Sequence, residues 1–250
     1  MNDAQRRTPA SQTSARAEPP VRAENERGAH AGERPFEQAY HAVHLPEHPA
    51  RAMVWRVVTE HLSRWVPADA HVLEIGAGYC HWINAVPGAR RVALDVWPEL
   101  PRHAAPGVEP VVADVTKDLR GLVALGPRPF DVVLASNVLE HFEPAVSSAV
   151  IADVAAVLRS GGRFIIVQPN FRYAYREYFD DYTHRSIFTD VSLQNLLRSH
   201  GFEIDLCAPK FLPYSMREAR VPIAPWLIKL YLNSPIKPRA GQMLIVARKA

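Results

Sequence analysis

Cysteine is scarce in this 250-residue chain, which holds two, Cys80 and Cys207, in separate segments. They form no Cys-x-x-Cys pair and no disulfide framework, and this suits a reducing compartment. Long apolar runs are missing as well. No segment approaches the roughly 18–20 apolar residues that a bilayer-crossing helix needs, and no apolar stretch near the N-terminus resembles a signal peptide. The expected localisation is cytoplasmic. A large charge excess is also missing: the formal net charge is +3, too small by itself to argue for a nucleic-acid partner.

The distribution of that charge is more telling. Residues 1–37 hold six arginines against six acids, residues 38–207 hold 15 basic residues against 19 acids, and residues 208–250 hold eight against one. The basic excess is confined to the C-terminal end. At 48% hydrophobic and 22% charged residues, the chain has the composition of a globular protein with enough apolar material for a full core. One domain with appendages is the expectation. Residues 1–37, rich in Ala, Arg, Glu, Pro and Ser, cannot bury enough surface to offset their ordering entropy and read as a disordered tail. Residues 38–250 read as the domain, with 211–240 as an insert before its last strand.

Within 48–65, Met53, Val54, Val57, Val58, His61, Leu62 and Trp65 recur at helical spacing, predicting an amphipathic helix over one face of a sheet. Short apolar runs follow at 72–75, 91–94, 110–113, 131–135 and 163–167, each ending at a polar or glycine residue: Gly76, Asp95, Asp114, Ser136-Asn137 and Gln168-Pro169-Asn170. Between the last two runs, 145–158 reads as a helix closed by Ser160-Gly161-Gly162. A further helix spans 189–199, with Thr189 or Asp190 able to cap it and Gly201 just past its end. The runs 202–207 and 243–248 are the last two strands. Apolar strands alternating with helices predict an α/β fold: a doubly wound, mostly parallel sheet covered on both faces. In such sheets ligands bind at the carboxyl ends of the strands, where these polar residues cluster.

The stretch VLEIGAGYC, residues 72–80, carries the sharpest chemical question. Gly76 and Gly78 allow a tight turn and close approach of backbone to ligand. Asp95 lies 19 residues beyond Gly76, a spacing that fits an acid accepting hydrogen bonds from ribose hydroxyls. A full G-x-G-x-x-G is absent, because His81 stands at the third glycine position. Glu74, just before the turn, would repel a pyrophosphate and welcome an ammonium or sulfonium. Both points disfavour a nucleotide-dependent oxidoreductase.

VLEIGAG, ALD, the acid in VVADV, ASNVLEHF, LRSGGRFIIVQPN and the terminal QMLIVARK together resemble a class I S-adenosylmethionine-dependent methyltransferase over residues 48–250. The resemblance implies a Rossmann-like sheet of seven strands, the last antiparallel between the fifth and sixth, and S-adenosyl-L-methionine as cofactor. It implies that Glu74 and the turn Gly76-Ala77-Gly78 surround the methionine part, with Glu74 near its ammonium. Asp95 would bind the ribose, Asp114 and the backbone of Val115 the adenine amino group, and Ala135, Ser136 and Asn137 the methionine side. The family often has a third glycine where this chain has Cys80.

Methyl transfer to a hydroxyl is helped by a base. His141, in VLEHF, and His184, in DDYTHRS, follow the fourth and fifth strands and are the candidates. Residues 170–185 hold four tyrosines and two phenylalanines, a composition suited to stacking on a sugar or ring. Asn170, Tyr182 and His184 are the expected acceptor contacts. This segment resembles methyltransferases of bacterial surface-glycan and glycolipid pathways, which implies a small-molecule or glycan acceptor. A lipid-linked or quinone-type acceptor, or a catalytically silent adenosylmethionine-binding domain, are the alternatives. No metal is expected, since the strand-end acids sit on separate loops and no His/Cys/Asp cluster has ligand spacing. Nucleic acid is not an expected partner, and the sequence does not reveal an oligomeric state. The insert 211–240 carries an apolar helix, started by Pro225 and ringed by Arg217, Arg220, Lys229, Lys237 and Arg239. Its readings are packing on its own domain, a dimer contact, or peripheral contact with the inner membrane face.

Overall fold

The computed structural model of the chain describes residues 49–123, 128–214 and 224–250. The expected tail at 1–37 lies outside the described residues, as do Arg217 and Arg220 of the insert. Seven strands form one sheet: β1 (His71–Ile75), β2 (Arg90–Asp95), β3 (Val108–Val112), β4 (Phe130–Ser136), β5 (Leu158–Pro169), β6 (Phe202–Ala208) and β7 (Gln242–Lys249). Their order is β3-β2-β1-β4-β5-β7-β6. β7 runs antiparallel to both β5 and β6, and every other pair is parallel. This is the doubly wound, Rossmann-like arrangement that the sequence predicts.

The helices are α1 (Pro49–Leu62), α2 (Leu100–His103), α3 (Val115–Val123), α4 (Pro144–Val157), α5 (Phe171–Ala174), α6 (Asp190–Ser199) and α7 (Pro225–Asn233). Alternation along the strands sorts the core into two layers. Leu73, Ile75 and Val133 pack with Leu119 of α3, Ile151 and Val154 of α4, and Leu193 and Leu197 of α6. Val72, Val132 and Leu134 point the other way, to Val54, Val58 and Leu62 of α1 and Leu232 of α7. All five residues of β1 are buried, as a strand covered on both faces must be. Thr189 caps α6 by accepting the Ser192 N–H at 3.1 Å, while the Ser192 hydroxyl oxygen accepts the Thr189 N–H at 2.9 Å, a reciprocal cap of the kind that contributes about 1 kcal/mol.

Two local expectations are corrected. Ser160-Gly161-Gly162 does not close a helix: α4 ends at Val157 and the chain passes directly into β5. Phe130 pairs with Leu158 and Val132 with Arg163, so residues 159–162 bulge out of the ladder. Gly161 sits there at φ 71°, and a Cβ on Gly162 would stand 2.9 Å from the Arg159 carbonyl oxygen. The glycines serve the bulge. The third strand spans Val108–Val112 rather than 110–113, and Asp114 opens α3, a helix that the sequence reading missed.

The insert is anchored at both ends. The Phe211 N–H donates to the Gln242 carbonyl at 2.7 Å, the Gly241 N–H donates to the Leu212 carbonyl at 2.9 Å, and Pro213 bridges Ala240. Pro225 begins α7, as expected. Leu232 is buried, and Ile228 and Tyr231 are partly buried against the α1 layer. Lys229 pairs with Glu60 of α1 at 2.6 Å. The Lys237 ammonium donates to the Tyr231 and Leu232 carbonyls at 2.9 and 2.8 Å, closing the helix C-terminus. The outer side exposes Trp226 and Leu230. No helix among the described residues is long and apolar enough to cross a membrane.

Candidate functional site

The carboxyl ends of β1 and β4 meet at Gly76. Its φ is 68°, and a Cβ there would lie 2.4 Å from Cγ2 of Val138, on the loop after β4. Only glycine permits that contact, and it joins the turn after β1 to the loop after β4 in one cleft. The Ala77 N–H donates to the Leu94 carbonyl at 3.1 Å, which ties the turn to β2 as well. Gly78 and Cys80 are also left-handed, at φ 47° and 57°. Cys80 therefore adopts the conformation that a glycine would favour. It is fully buried, and burial pushes its thiol up to about 12, so it packs and does not react. Trp82 is likewise fully buried.

Glu74 is 4% exposed and accepts the Ile83 N–H at 3.0 Å. Burial, reinforced by the charge of Asp95 and opposed by that amide bond, pushes its carboxyl from 4.5 up to about 8. Asp95, at the end of β2, accepts the Gly78 N–H at 2.7 Å on one oxygen and the Trp97 N–H at 2.9 Å on the other. Each oxygen keeps a second lone pair for a ligand hydroxyl. Beside it stand three rings that sequence reasoning missed. Tyr79 lies 5.1 Å from Trp97 and 4.9 Å from His103, and Trp97 stacks on His103 at 5.0 Å. They come from three segments, so only the fold assembles them. Asp114 is half-exposed, and its Oδ1 accepts both the N–H and the hydroxyl of Thr116, at 2.9 and 2.7 Å. Val115 follows as the buried first residue of α3.

On the other side of Gly76, Ser136 ends β4 and Asn137 turns at φ 53°, with its N–H donating to the Val167 carbonyl at 2.8 Å. A short 3-10 turn, Leu139–His141, follows. The Glu140 carbonyl accepts the N–H groups of Arg185 and Ser186 at 2.8 and 3.0 Å. Those bonds bring His184, 43 residues on in the sequence, to a ring distance of 5.0 Å from His141. His141 Nδ1 bonds the Thr183 hydroxyl at 2.8 Å, and His184 Nδ1 bonds the Tyr178 carbonyl at 2.6 Å. Burial, then the neighbouring His184, lowers His141 to about 4, and burial also lowers His184. Both rings are neutral at pH 7. Glu140, His141 and His184 offer ligand atoms within 4.8 Å of one another. The expectation of no ligand cluster rested on sequence spacing, which cannot see this convergence.

The segment after β5 divides its aromatics. Tyr178 is fully buried, while Tyr173, Tyr175, Phe179 and Tyr182 are exposed. Asn170 is corrected: it is fully buried, its amide donates to Asp190 and to the Pro209 carbonyl, both at 3.0 Å, and its oxygen accepts the Arg172 N–H. Its amide protons tie it to α6 and to the segment after β6, and its oxygen caps α5, so it organises the segment and does not face an acceptor. Gln168, at the end of β5, is 1% exposed, and its amide nitrogen and oxygen have no partner among the described residues. Sequence reasoning placed it among the polar strand ends and assigned it no role.

The cleft fits adenosylmethionine chemically. A buried acid, an acid with spare lone pairs and a set of aromatic rings are groups suited to a ligand that carries an ammonium, a ribose diol and an adenine. A family model described as a methyltransferase domain matches residues 48–206. Similar solved structures include an S-adenosylmethionine-dependent methyltransferase from Archaeoglobus fulgidus, at 16% identity over 86% of this chain and 99% of that one, with a TM-score of 0.57. The N-methyltransferase NodS from Bradyrhizobium japonicum WM9, solved with S-adenosyl-L-homocysteine, is 14% identical over 83% and 91%, with a TM-score of 0.55. The 1,6-didemethyltoxoflavin-N1-methyltransferase of Burkholderia thailandensis is 24% identical over 86% of each chain, with a TM-score of 0.53. No curated protein sequence matches the chain. The chain belongs to the class I S-adenosylmethionine-dependent methyltransferase family, and S-adenosyl-L-methionine is its cofactor.

Proposed function

We propose that this methyltransferase modifies a small-molecule or glycan acceptor that docks between the loop after β4 and the segment 170–185. When bound, the cofactor supplies a methyl group already activated by its sulfonium, so the work of the chain is alignment. Glu74 holds the cofactor ammonium, Asp95 the ribose hydroxyls, Asp114 and the Val115 backbone the adenine edge, and Gly76, Ala77, Gly78, Ser136 and Asn137 line the methionine part. On the acceptor side Tyr182, His141 and His184 orient the incoming group. Their neutral rings, held low by burial, suit holding an acceptor oxygen better than removing its proton. The supporting observation is the row of exposed aromatics, Tyr173, Tyr175, Phe179 and Tyr182, over a buried Tyr178. Exposed rings on an anchored base suit stacking against a sugar or a planar ring. A screen with labelled adenosylmethionine against glycan, lipid and quinone acceptors tests the reading. Transfer to a glycan or a soluble ring compound supports it, and transfer to lipid or quinone acceptors alone overturns it.

One observation favours a second reading, a lipid-linked acceptor met at the inner membrane face. Trp226, Leu230 and Ile236 are 68%, 61% and 77% exposed, on and beside α7. Flotation with anionic liposomes decides it. Salt-sensitive binding, lost on Trp226→Ser with Leu230→Ser, supports the reading, and no binding at low salt removes it.

A further inference from the structure

We propose that Glu140, His141 and His184 form a binding site for one divalent first-row transition cation. The starting point is Glu140. Its side chain is fully buried, and neither carboxylate oxygen has a hydrogen-bond partner among the described residues. A buried carboxylate without partners is among the costliest groups that a fold can hold. Protonation alone does not resolve it, because a carboxylic acid still presents an O–H that needs an acceptor. A cation between Glu140 and the two rings satisfies it directly.

The histidines are arranged as ligands. His184 Nδ1 faces the Tyr178 carbonyl at 2.6 Å. A carbonyl only accepts, so Nδ1 carries the proton and the lone pair is on Nε2. The Thr183 hydroxyl donates to Asp181 Oδ1 at 2.5 Å, so toward His141 Nδ1, 2.8 Å away, it acts as acceptor. His141 Nδ1 is then protonated too, and its Nε2 carries the lone pair. An outer partner that fixes the tautomer is the usual support of a metal-bound imidazole. Asp181 is itself held by the Thr183 N–H at 3.0 Å, so the relay from carboxylate through hydroxyl to ring is fixed at its outer end.

The distances are close to closure. One ligand atom from each of the three side chains lies within 4.8 Å of the other two. Around a tetrahedral ion bonded at roughly 2.0–2.2 Å, ligand atoms stand about 3.3–3.6 Å apart, so side chains that converge by up to about 1.5 Å complete the site. Two imidazoles and one carboxylate suit zinc, cobalt, manganese or ferrous iron, and do not suit calcium or magnesium, which take all-oxygen sets. Three protein ligands leave coordination positions open. The site lies on the loop after β4, on the side where the proposed function puts the acceptor.

The test uses the tag-free full chain, stripped by dialysis against chelator and titrated with cobalt(II) alone, followed by visible absorption and by the metal content after gel filtration. Neither cofactor nor acceptor is present, so the result is independent of the proposed acceptor. One cobalt per chain with new visible bands is expected. Glu140→Gln and His184→Ala should each abolish the bands. Thr183→Val, which touches no ion, should weaken binding about ten- to a hundredfold through the freed ring. If Glu140→Gln or His184→Ala fails to fold by thermal denaturation, the wild type and Thr183→Val decide. No stoichiometric uptake at millimolar cobalt overturns the proposal. Uptake that is unchanged in Thr183→Val and in every folded variant overturns it equally.

Discussion

Glu74 offers the sharpest test of the cofactor cleft. Burial holds its carboxyl near 8 in the folded chain, against an ordinary value of 4.5. The folded state therefore keeps a proton that the unfolded state has lost. The stability that this contributes is complete below about pH 4.5 and is lost as pH rises through about 8. At about 1.4 kcal/mol for each pH unit, the gap sets a ceiling of about 5 kcal/mol on the loss. Glu74→Gln cannot titrate, while its amide oxygen can still accept the Ile83 N–H. Urea unfolding of both proteins at several pH values, without ligand, should show the wild type losing stability relative to the variant between pH 5 and 8. The expected difference is about 1–5 kcal/mol. Comparing the two curves removes every other titrating group, Glu140 included. The same logic extends to the ligand. If the cofactor ammonium sits beside Glu74, its arrival returns the carboxyl to its charged form and expels the proton. Calorimetry with S-adenosylhomocysteine in buffers of different ionisation heat should find up to one proton released near pH 6.5 by the wild type and none by the variant. Parallel stability curves would show that Glu74 is already charged in the fold, and absence of proton release would place the ammonium elsewhere.

Asp95→Ala removes a charged acceptor proposed for the ribose, worth roughly 1.5–3 kcal/mol; calorimetry should find about ten- to a hundredfold weaker cofactor binding, and an unchanged constant means that the ribose is held by other groups. Gly76→Ala puts a Cβ 2.4 Å from Val138 at a left-handed φ; strain and overpacking together should destabilise the fold by about 2–4 kcal/mol, read as a lower Tm, and a wild-type Tm would mean that the loop after β4 gives way freely. His184→Ala should lower kcat tenfold or more while the cofactor still binds, and Tyr182→Phe should raise the acceptor KM more than it lowers kcat; wild-type turnover and acceptor affinity in both variants would remove the segment 170–185 from the acceptor site.

The strands were legible because apolar runs ending at Gly76, Asp95 and Asn137 obey the rules of a sheet buried on both faces, while the place of the last strand followed from the family resemblance. What misled was local. Ser160-Gly161-Gly162 has the composition of a helix stop, yet the same flexibility makes a bulge, and only the pairing of Phe130 with Leu158 and Val132 with Arg163 distinguishes the two. The helix α3 escaped notice because VTKDLRGLV carries a glycine and three charges. Val115 and Leu119 reach the core. Asn170 looked like a ligand contact because it ends a strand, but its amide serves Asp190 and Pro209. The acids proposed for the cofactor lie close in sequence to the strands that aim them. The Glu140 cluster depends on backbone bonds between Glu140 and the 185–186 pair, which no spacing rule encodes.

The position of β7 has a consequence for how the chain acquires its fold. Met243–Ala247 are fully buried, and the strand stands between β5 and β6, which never touch each other in the sheet. During synthesis β5 is complete long before residue 242 exists, and α5, α6, β6 and α7 are all made in between. Throughout that interval β5 and β6 each present an unpaired edge, the kind of surface that recruits other strands. Pairings so distant along the chain are also the slow ones to form. Deleting 242–250 would therefore do more than trim an end: it would detach β6 from the sheet and leave two edges open to aggregation. The nascent protein is at its most vulnerable to misassembly just before its last strand is laid down.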